Sequence, residues 1–216
     1  MTRVRVQLAR VVPGAADDPF LVGQLGFGEW EQIKTLGFAA DRDRAVTARA
    51  MARLELGRRL GVRPSLVSLL APEVTGGRPV VRNTGIGVSW SHSSEWVALA
   101  LTDDRPVGVD IEFVPEEIPV EALRRFGVAS LRDFVAREAA GKATGEGLAV
   151  AWPPPVRVVT FKAPHGYVAA VAAPGGDWSI EVERLDRLEP PASASAAATG
   201  VWDVTGIGSR RRSYSR

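Results

Sequence analysis

The stretch 107-VGVDIE-112 sets two acidic residues one position apart at the end of an apolar run. In an extended strand alternate side chains share a face, so Asp110 and Glu112 point to one side while Val109 and Ile111 enter a core on the other. Two readings fit. One is a strand running out of the core into a polar turn; the other is a pair of carboxylates ready to share a cation, and the flanking sequence has to separate them.

Upstream lies a Gly/Pro-punctuated loop, 74-VTGGRPVVRNTG-85, and then 86-IGVSWSHSSEWVALALTDDRPVG-108. The second segment reads as a strand, a polar interruption at 91–95, another strand, and a turn at 102–105 feeding the acidic strand. Downstream, 120–126 reads as a helical turn or two broken at Gly127. Ser130 followed by Asp133 resembles an N-cap with an acidic third residue, opening a helix through about Lys142. Glu138 and Lys142 stand four apart on that helix and share a face, a spacing that an ordinary surface salt bridge worth about 0.2–0.5 kcal/mol also has.

Toward the N-terminus, 3–12 reads as a strand and 29–37 as a short helix. Asp41 or Asp43 is the expected N-cap of a longer helix ending near residue 60, with Val46, Ala50 and Leu54 as its buried stripe. Arg42, Arg44, Arg49, Arg53, Arg58 and Arg59 make this region basic, and guanidinium groups suit a phosphate-rich ligand. On a helical period Arg42, Arg49 and Arg53 share one side and Arg44 lies on another. A weak internal echo links 96-WVALALT-102 to 167-YVAAVAA-173, each a few residues after a histidine, His92 or His165. The 153–155 proline run reads as a rigid connector, and 188–216 as a mobile tail with a basic end.

Composition bounds the function classes. The 216 residues are 45% hydrophobic and 24% charged, which suits a globular chain of one large domain or two lobes. With no cysteine, disulfides and cysteine-ligated zinc are excluded. A net charge of +2 without a sustained basic groove argues against nucleic acid, so the tryptophans are expected to be packing anchors. No apolar run approaches the roughly 20 residues of a membrane span, and the alternating start MTRVRVQLARVV is strand-like, so a soluble, cytoplasmic protein is expected.

Taken together, Gly77-Arg78-Pro79, 89-SWSHS-93, 107-VGVDIE-112 and 134-FVAREAAGKATGEGL-148 occur in an order that resembles the 4'-phosphopantetheinyl transferases of the Sfp (surfactin) type. That family carries G-K-P, N-x-S-H-S, V/I-G-V/I-D-I-E and W-x-x-K-E-A-x-x-K followed by G-x-G-L. The resemblance covers roughly residues 26–184. It implies an α+β, pseudo-dimeric two-lobe fold, each lobe a small antiparallel sheet packed with helices, divided here as 1–106 and 107–187. It also implies Mg²⁺-dependent transfer of the phosphopantetheine arm of coenzyme A to a serine of an acyl or peptidyl carrier protein, releasing 3',5'-ADP, by a monomer.

Carried over by position, Asp110, Glu112 and Glu138 match metal ligands, and Glu138 is also the leading candidate base. Lys142 matches the catalytic lysine and is counted among the coenzyme A-binding residues as well. Ser91 and His92 match the pair touching the coenzyme A phosphates, with His92 also counted among the catalytic residues. Arg44, Arg53 and Arg78 complete the coenzyme A set. The sequence departs from the family at Phe134 and Arg137, which replace Trp and Lys, at Arg78, and at the missing asparagine before S-H-S. The 25 residues between Glu112 and Glu138 make a shortened segment where carrier docking is expected. These departures keep open a divergent protein that binds coenzyme A or a carrier without transfer, or one repurposed in a natural-product pathway.

Overall fold

The computed structural model describes residues 2–70, 77–117, 120–186 and 188. Its strands are β1 (Thr2–Arg10), β2 (Leu69–Leu70), β3 (Val80–Val81), β4 (Gly87–Ser93), β5 (Trp96–Thr102), β6 (Gly108–Phe113), β7 (Arg157–Thr160), β8 (Tyr167–Ala173) and β9 (Trp178–Leu185). Its α-helices are α1 (Pro19–Val22), α2 (Glu29–Ile33), α3 (Ala39–Leu60), α4 (Val120–Arg125) and α5 (Leu131–Thr144). One sheet has the order β4-β5-β1-β9 and another β6-β8-β7, while β2 and β3 form a small separate pair. The chain is thus α+β, built from small sheets and helices.

Strand periodicity lays these elements in four layers. Val4, Val6 and Leu8 of β1 and Ala98 and Ala100 of β5 meet Val109 and Ile111 of β6 and Ala169, Val171 and Ala173 of β8, so the two sheets pack face to face. The alternate residues of β5, Val97, Leu99 and Leu101, face outward onto Ala48, Met51, Ala52 and Leu56 of α3. Likewise Ala170 and Ala172 of β8 face outward onto Val135, Ala136, Ala139, Ala140 and Ala143 of α5. Period-two apolar faces on both sides bury β5 from Val97 and β8 from Ala169 onward, which is why both read as continuous Val/Ala/Leu runs.

Both acidic-strand expectations for the core hold, since Val109 and Ile111 are fully buried in the central layer. The helix expected after Ser130 also forms, its hydroxyl accepting from the Asp133 N–H at 3.1 Å. The polar interruption expected at 91–95 is shorter in the structure, because β4 runs through Ser93 and turns only at Ser94 and Glu95. Helix α3 begins at Ala39, before either expected N-cap. Asp43 instead accepts from the Gly14 and Ala16 N–H groups at 2.9 and 3.0 Å, and Asp41 pairs with Arg44. The stripe of Val46, Ala50 and Leu54 is buried, but other faces of α3 are buried as well, because 15–33 covers the side away from the sheet. Trp178 is fully buried and Trp30, Trp90 and Trp96 partly so, whereas Trp152 is exposed. The 188–216 tail lies outside the described residues, apart from Leu188.

Sheet membership does not follow the 1–106 and 107–187 division throughout. The last strand, β9, returns to the first sheet and pairs parallel to β1, from Thr2 opposite Trp178 to Ala9 opposite Leu185.

One glycine sets the spacing between the acidic strand and α5. A Cβ on Gly108 would lie 2.0 Å from the Ala139 carbonyl oxygen and 2.5 Å from the Ala143 nitrogen, so only glycine lets the helix backbone settle directly on β6. Gly108→Ala is therefore expected to push α5 off the strand, lowering the urea-unfolding free energy by about 2 kcal/mol or more, as overpacking does. An alanine variant as stable as the parent contradicts this packing.

Candidate active site

Strands β4 and β6 are edges of different sheets, yet they run alongside each other in the same direction, joined by serine side chains. Ser89, Ser91 and Ser93 alternate along β4 and so share one face. Ser89 Oγ accepts from the Val109 N–H at 3.1 Å, and Ser91 Oγ donates to Asp110 Oδ1 at 2.7 Å. Ser93 Oγ accepts from the Phe113 N–H at 3.1 Å and donates to Glu112 Oε2 at 2.7 Å. Ser89 thus takes up a bracing position at the place where the resemblance leads one to expect asparagine.

Asp110 and Glu112 project from β6 toward α5, away from the central core. Asp110 is 2% exposed, and Lys142 Nζ donates to its Oδ1 at 2.7 Å and to the Val109 carbonyl at 3.2 Å. Asp110 Oδ2 is buried without a hydrogen-bond partner. Such an orphaned carboxylate oxygen is costly unless something positive completes it.

Glu138, one turn before Lys142 on α5, belongs to the same electrostatic neighbourhood. Burial raises its pKa, Lys142 opposes the rise, and the Asp110 charge adds to it. Glu112 is also raised, chiefly by burial, with Ser93 and Lys142 lowering it and Asp110 and Glu138 raising it. These carboxylates repel one another in a partly desolvated place.

His92 is exposed on β4, and its pKa is lowered by desolvation first and then by the Arg44 and Lys142 charges. The shift favours the neutral ring, which can both accept and donate a hydrogen bond. Arg44 lies near it at the start of α3, paired to Asp41, and lines a cavity of about 340 Å³ with Arg10, Asp43 and Ser94. Arg78 donates to the Ala143 carbonyl at 3.3 Å, next to Lys142 in sequence, and lines a separate cavity of about 190 Å³ with Val88 and Val107. None of the three carboxylates lines either cavity.

Arg53 is not brought to this group. Its side chain is 3% exposed, paired to Glu29 at 2.5 Å and donating to the Pro64 and Val67 carbonyls at 2.9 and 3.1 Å. It fastens the 26–33 segment and the 64–67 turn to α3, and its donors face the interior. Sequence placed it on the same helix side as Arg42 and Arg49, but helical phase cannot tell a ligand-facing arginine from a buried one. Ser93 was missed in the opposite sense, although the alternation S-x-S-x-S within a strand was its signal.

Among the described residues no group of three His, Cys, Asp or Glu side chains stands close enough together to hold a metal ion. The ammonium of Lys142 supplies the positive charge against Asp110 instead. The donor set nevertheless fits a hard dication: one orphaned carboxylate oxygen on Asp110, with Glu112 and Glu138 both disfavoured as bare anions. Mg²⁺ suits such a place because it takes few protein carboxylates and keeps several waters.

No family model matches the chain. Over 113 residues it is 29% identical to a protein named phosphopantetheinyl transferase from Thraustochytrium sp. (strain ATCC 26185 / S-3), a match covering 51% of this chain and 38% of that protein. The chain spans well under half the length of that relative. Among the described residues no helix is long and apolar enough to cross a membrane.

The burial of Glu138 has a measurable sign. A carboxyl whose folded pKa lies above the ordinary 4.5 stabilises the fold while protonated, and that contribution is lost as pH rises through the folded value. In EDTA, Glu138→Gln is expected to raise the melting temperature over the parent by about 2 °C near pH 7.5 and not near pH 4. A gain confined to low pH contradicts the assignment.

Proposed function

We propose that this chain is a 4'-phosphopantetheinyl transferase of the Sfp type, transferring the phosphopantetheine arm of coenzyme A to a serine of an acyl or peptidyl carrier protein. The observation that carries the reading is buried Asp110 on β6 held by Lys142 of α5 and Ser91 of β4, with Glu112 and Glu138 in the same electrostatic neighbourhood. The similarity to a protein named for this activity supports it independently. So does the layering, read as two related halves: α3 over the sheet centred on β5, and α5 over the sheet centred on β8.

The reaction makes a bond between the carrier serine oxygen and the β-phosphorus of coenzyme A and breaks the bond from that phosphorus to the bridging oxygen. The electron pair leaves with adenosine 3',5'-bisphosphate. Transfer of this kind demands charge neutralisation, in-line placement and removal of one proton.

Asp110, Glu112 and Glu138 would hold Mg²⁺, whose chemistry when bound is neutralisation of charge on the diphosphate oxygens. The rest falls to the chain's own groups. Glu138, with its raised pKa, is suited to take the serine proton directly or through water. Lys142 is mounted where its ammonium can shift from Asp110 toward charge growing on the bridging oxygen. His92, its neutral form favoured, offers an N–H to a phosphate oxygen, and Arg44 and Arg78 supply guanidinium groups for the bisphosphate end. Ser91 is read as a brace for Asp110 rather than a free phosphate donor, since its proton is already directed to that carboxylate. We place the active protein as a cytoplasmic monomer.

Intact-mass spectrometry of apo carrier proteins incubated with the protein, coenzyme A and Mg²⁺ tests this. The expected result is a mass gain of one phosphopantetheine arm that disappears with EDTA and with Asp110→Ala, while circular dichroism reports an intact fold. Coenzyme A binding without mass gain on any carrier supports a binding-only or repurposed protein, and full activity in Asp110→Ala removes the metal assignment.

A further inference from the structure

The serines of β4 do different work. Ser89 reaches only a backbone N–H of β6, that of Val109, at 3.1 Å. Ser91 donates to Asp110, whose same oxygen also receives Lys142. Ser93 is the hydroxyl that both receives and gives: it accepts from the Phe113 N–H at 3.1 Å and donates to Glu112 Oε2 at 2.7 Å. A hydroxyl has a single proton, so acceptance from the backbone of β6 leaves that proton free to be aimed at the carboxylate. Ser93 is thereby fixed on the strand that carries Glu112 while itself belonging to the other sheet.

Glu112 needs such a clamp more than Asp110 does. Its side chain is one methylene longer, it sits at the rim of the seam rather than inside it, and its neighbours Asp110 and Glu138 are both acidic. A hydrogen bond to one carboxylate oxygen fixes the plane of the group and leaves the other oxygen available. Outer hydrogen-bond partners of metal-binding carboxylates act in this way on affinity.

We infer that Ser93 is a positioning residue for Glu112, holding one of its oxygens toward β4 so that the other is presented to a divalent cation. The inference rests on the metal reading given above for Asp110, Glu112 and Glu138. It assigns Ser93 no contact with coenzyme A or with the reacting atoms.

The test is a Mn²⁺ titration followed by electron paramagnetic resonance, without coenzyme A or carrier, on the full chain and three variants, each checked by circular dichroism. Ser93→Ala is expected to weaken Mn²⁺ binding about tenfold, in the range found for lost outer-shell partners. Ser93→Thr, which keeps the hydroxyl on a strand-compatible side chain, is expected to restore most of that affinity. Ser89→Ala removes a rung of the same seam without touching a carboxylate and is expected to keep the parent affinity. Parental affinity in Ser93→Ala overturns the inference, as does equal weakening in Ser89→Ala and Ser93→Ala, which makes the seam merely structural. A folded Ser93→Thr as weak as Ser93→Ala also overturns it. Failure of the parent itself to bind Mn²⁺ overturns the metal reading instead.

Discussion

A carboxylate taken almost wholly out of water, Asp110, constrains everything around it. An ionised group at 2% exposure is tolerable only if it is paired and hydrogen-bonded, and its partners come from separate elements: Ser91 from β4 and Lys142 from α5. To supply them, an edge strand of one sheet has to lie against an edge strand of the other, and a helix has to settle on β6 closely enough to require Gly108. The seam, the layering and the helix placement are thus conditions for keeping that charge buried. One oxygen of Asp110 still lacks a partner, so the pairing is incomplete in a way that a ligand can finish.

The same arrangement gives the region its chemical bias. Lys142 neutralises Asp110 but opposes only in part the rise at Glu112 and Glu138, and the resulting crowd of carboxylates favours a cation or a proton. Across the seam the balance reverses: His92 is shifted toward its neutral form by desolvation and by Arg44 and Lys142, a polarity suited to oxygen-rich anions. An acidic floor thus lies beside a cationic wall.

Much of this was legible in the chain because strands and helices impose their periods on sequence. Val109 and Ile111 against Asp110 and Glu112 fixed the face of β6, and the i, i+4 spacing of Glu138 and Lys142 fixed their shared side of α5. The Val/Ala runs at 96–102 and 167–173 became the middle strands of facing sheets. What escaped depended on contacts between elements distant in sequence. Arg53 looked like its arginine neighbours until Glu29 and two carbonyls claimed it. Asp43 looked like an N-cap until the 14–16 turn supplied other N–H groups. The return of β9 to pair with β1 has no local signal at all, since the rest of its half lies in the other sheet.

Asp110, Glu112 and Glu138 are proposed as one cation site with Lys142 beside it. Crystals grown with coenzyme A and Mn²⁺, measured at the manganese absorption edge, test it most directly. One anomalous peak is expected between β6 and α5, in bonding distance of Asp110 and Glu112, with the diphosphate against it and Lys142 turned toward the bridging oxygen. Bound coenzyme A with no peak at these carboxylates, and Lys142 still held on Asp110, contradicts it.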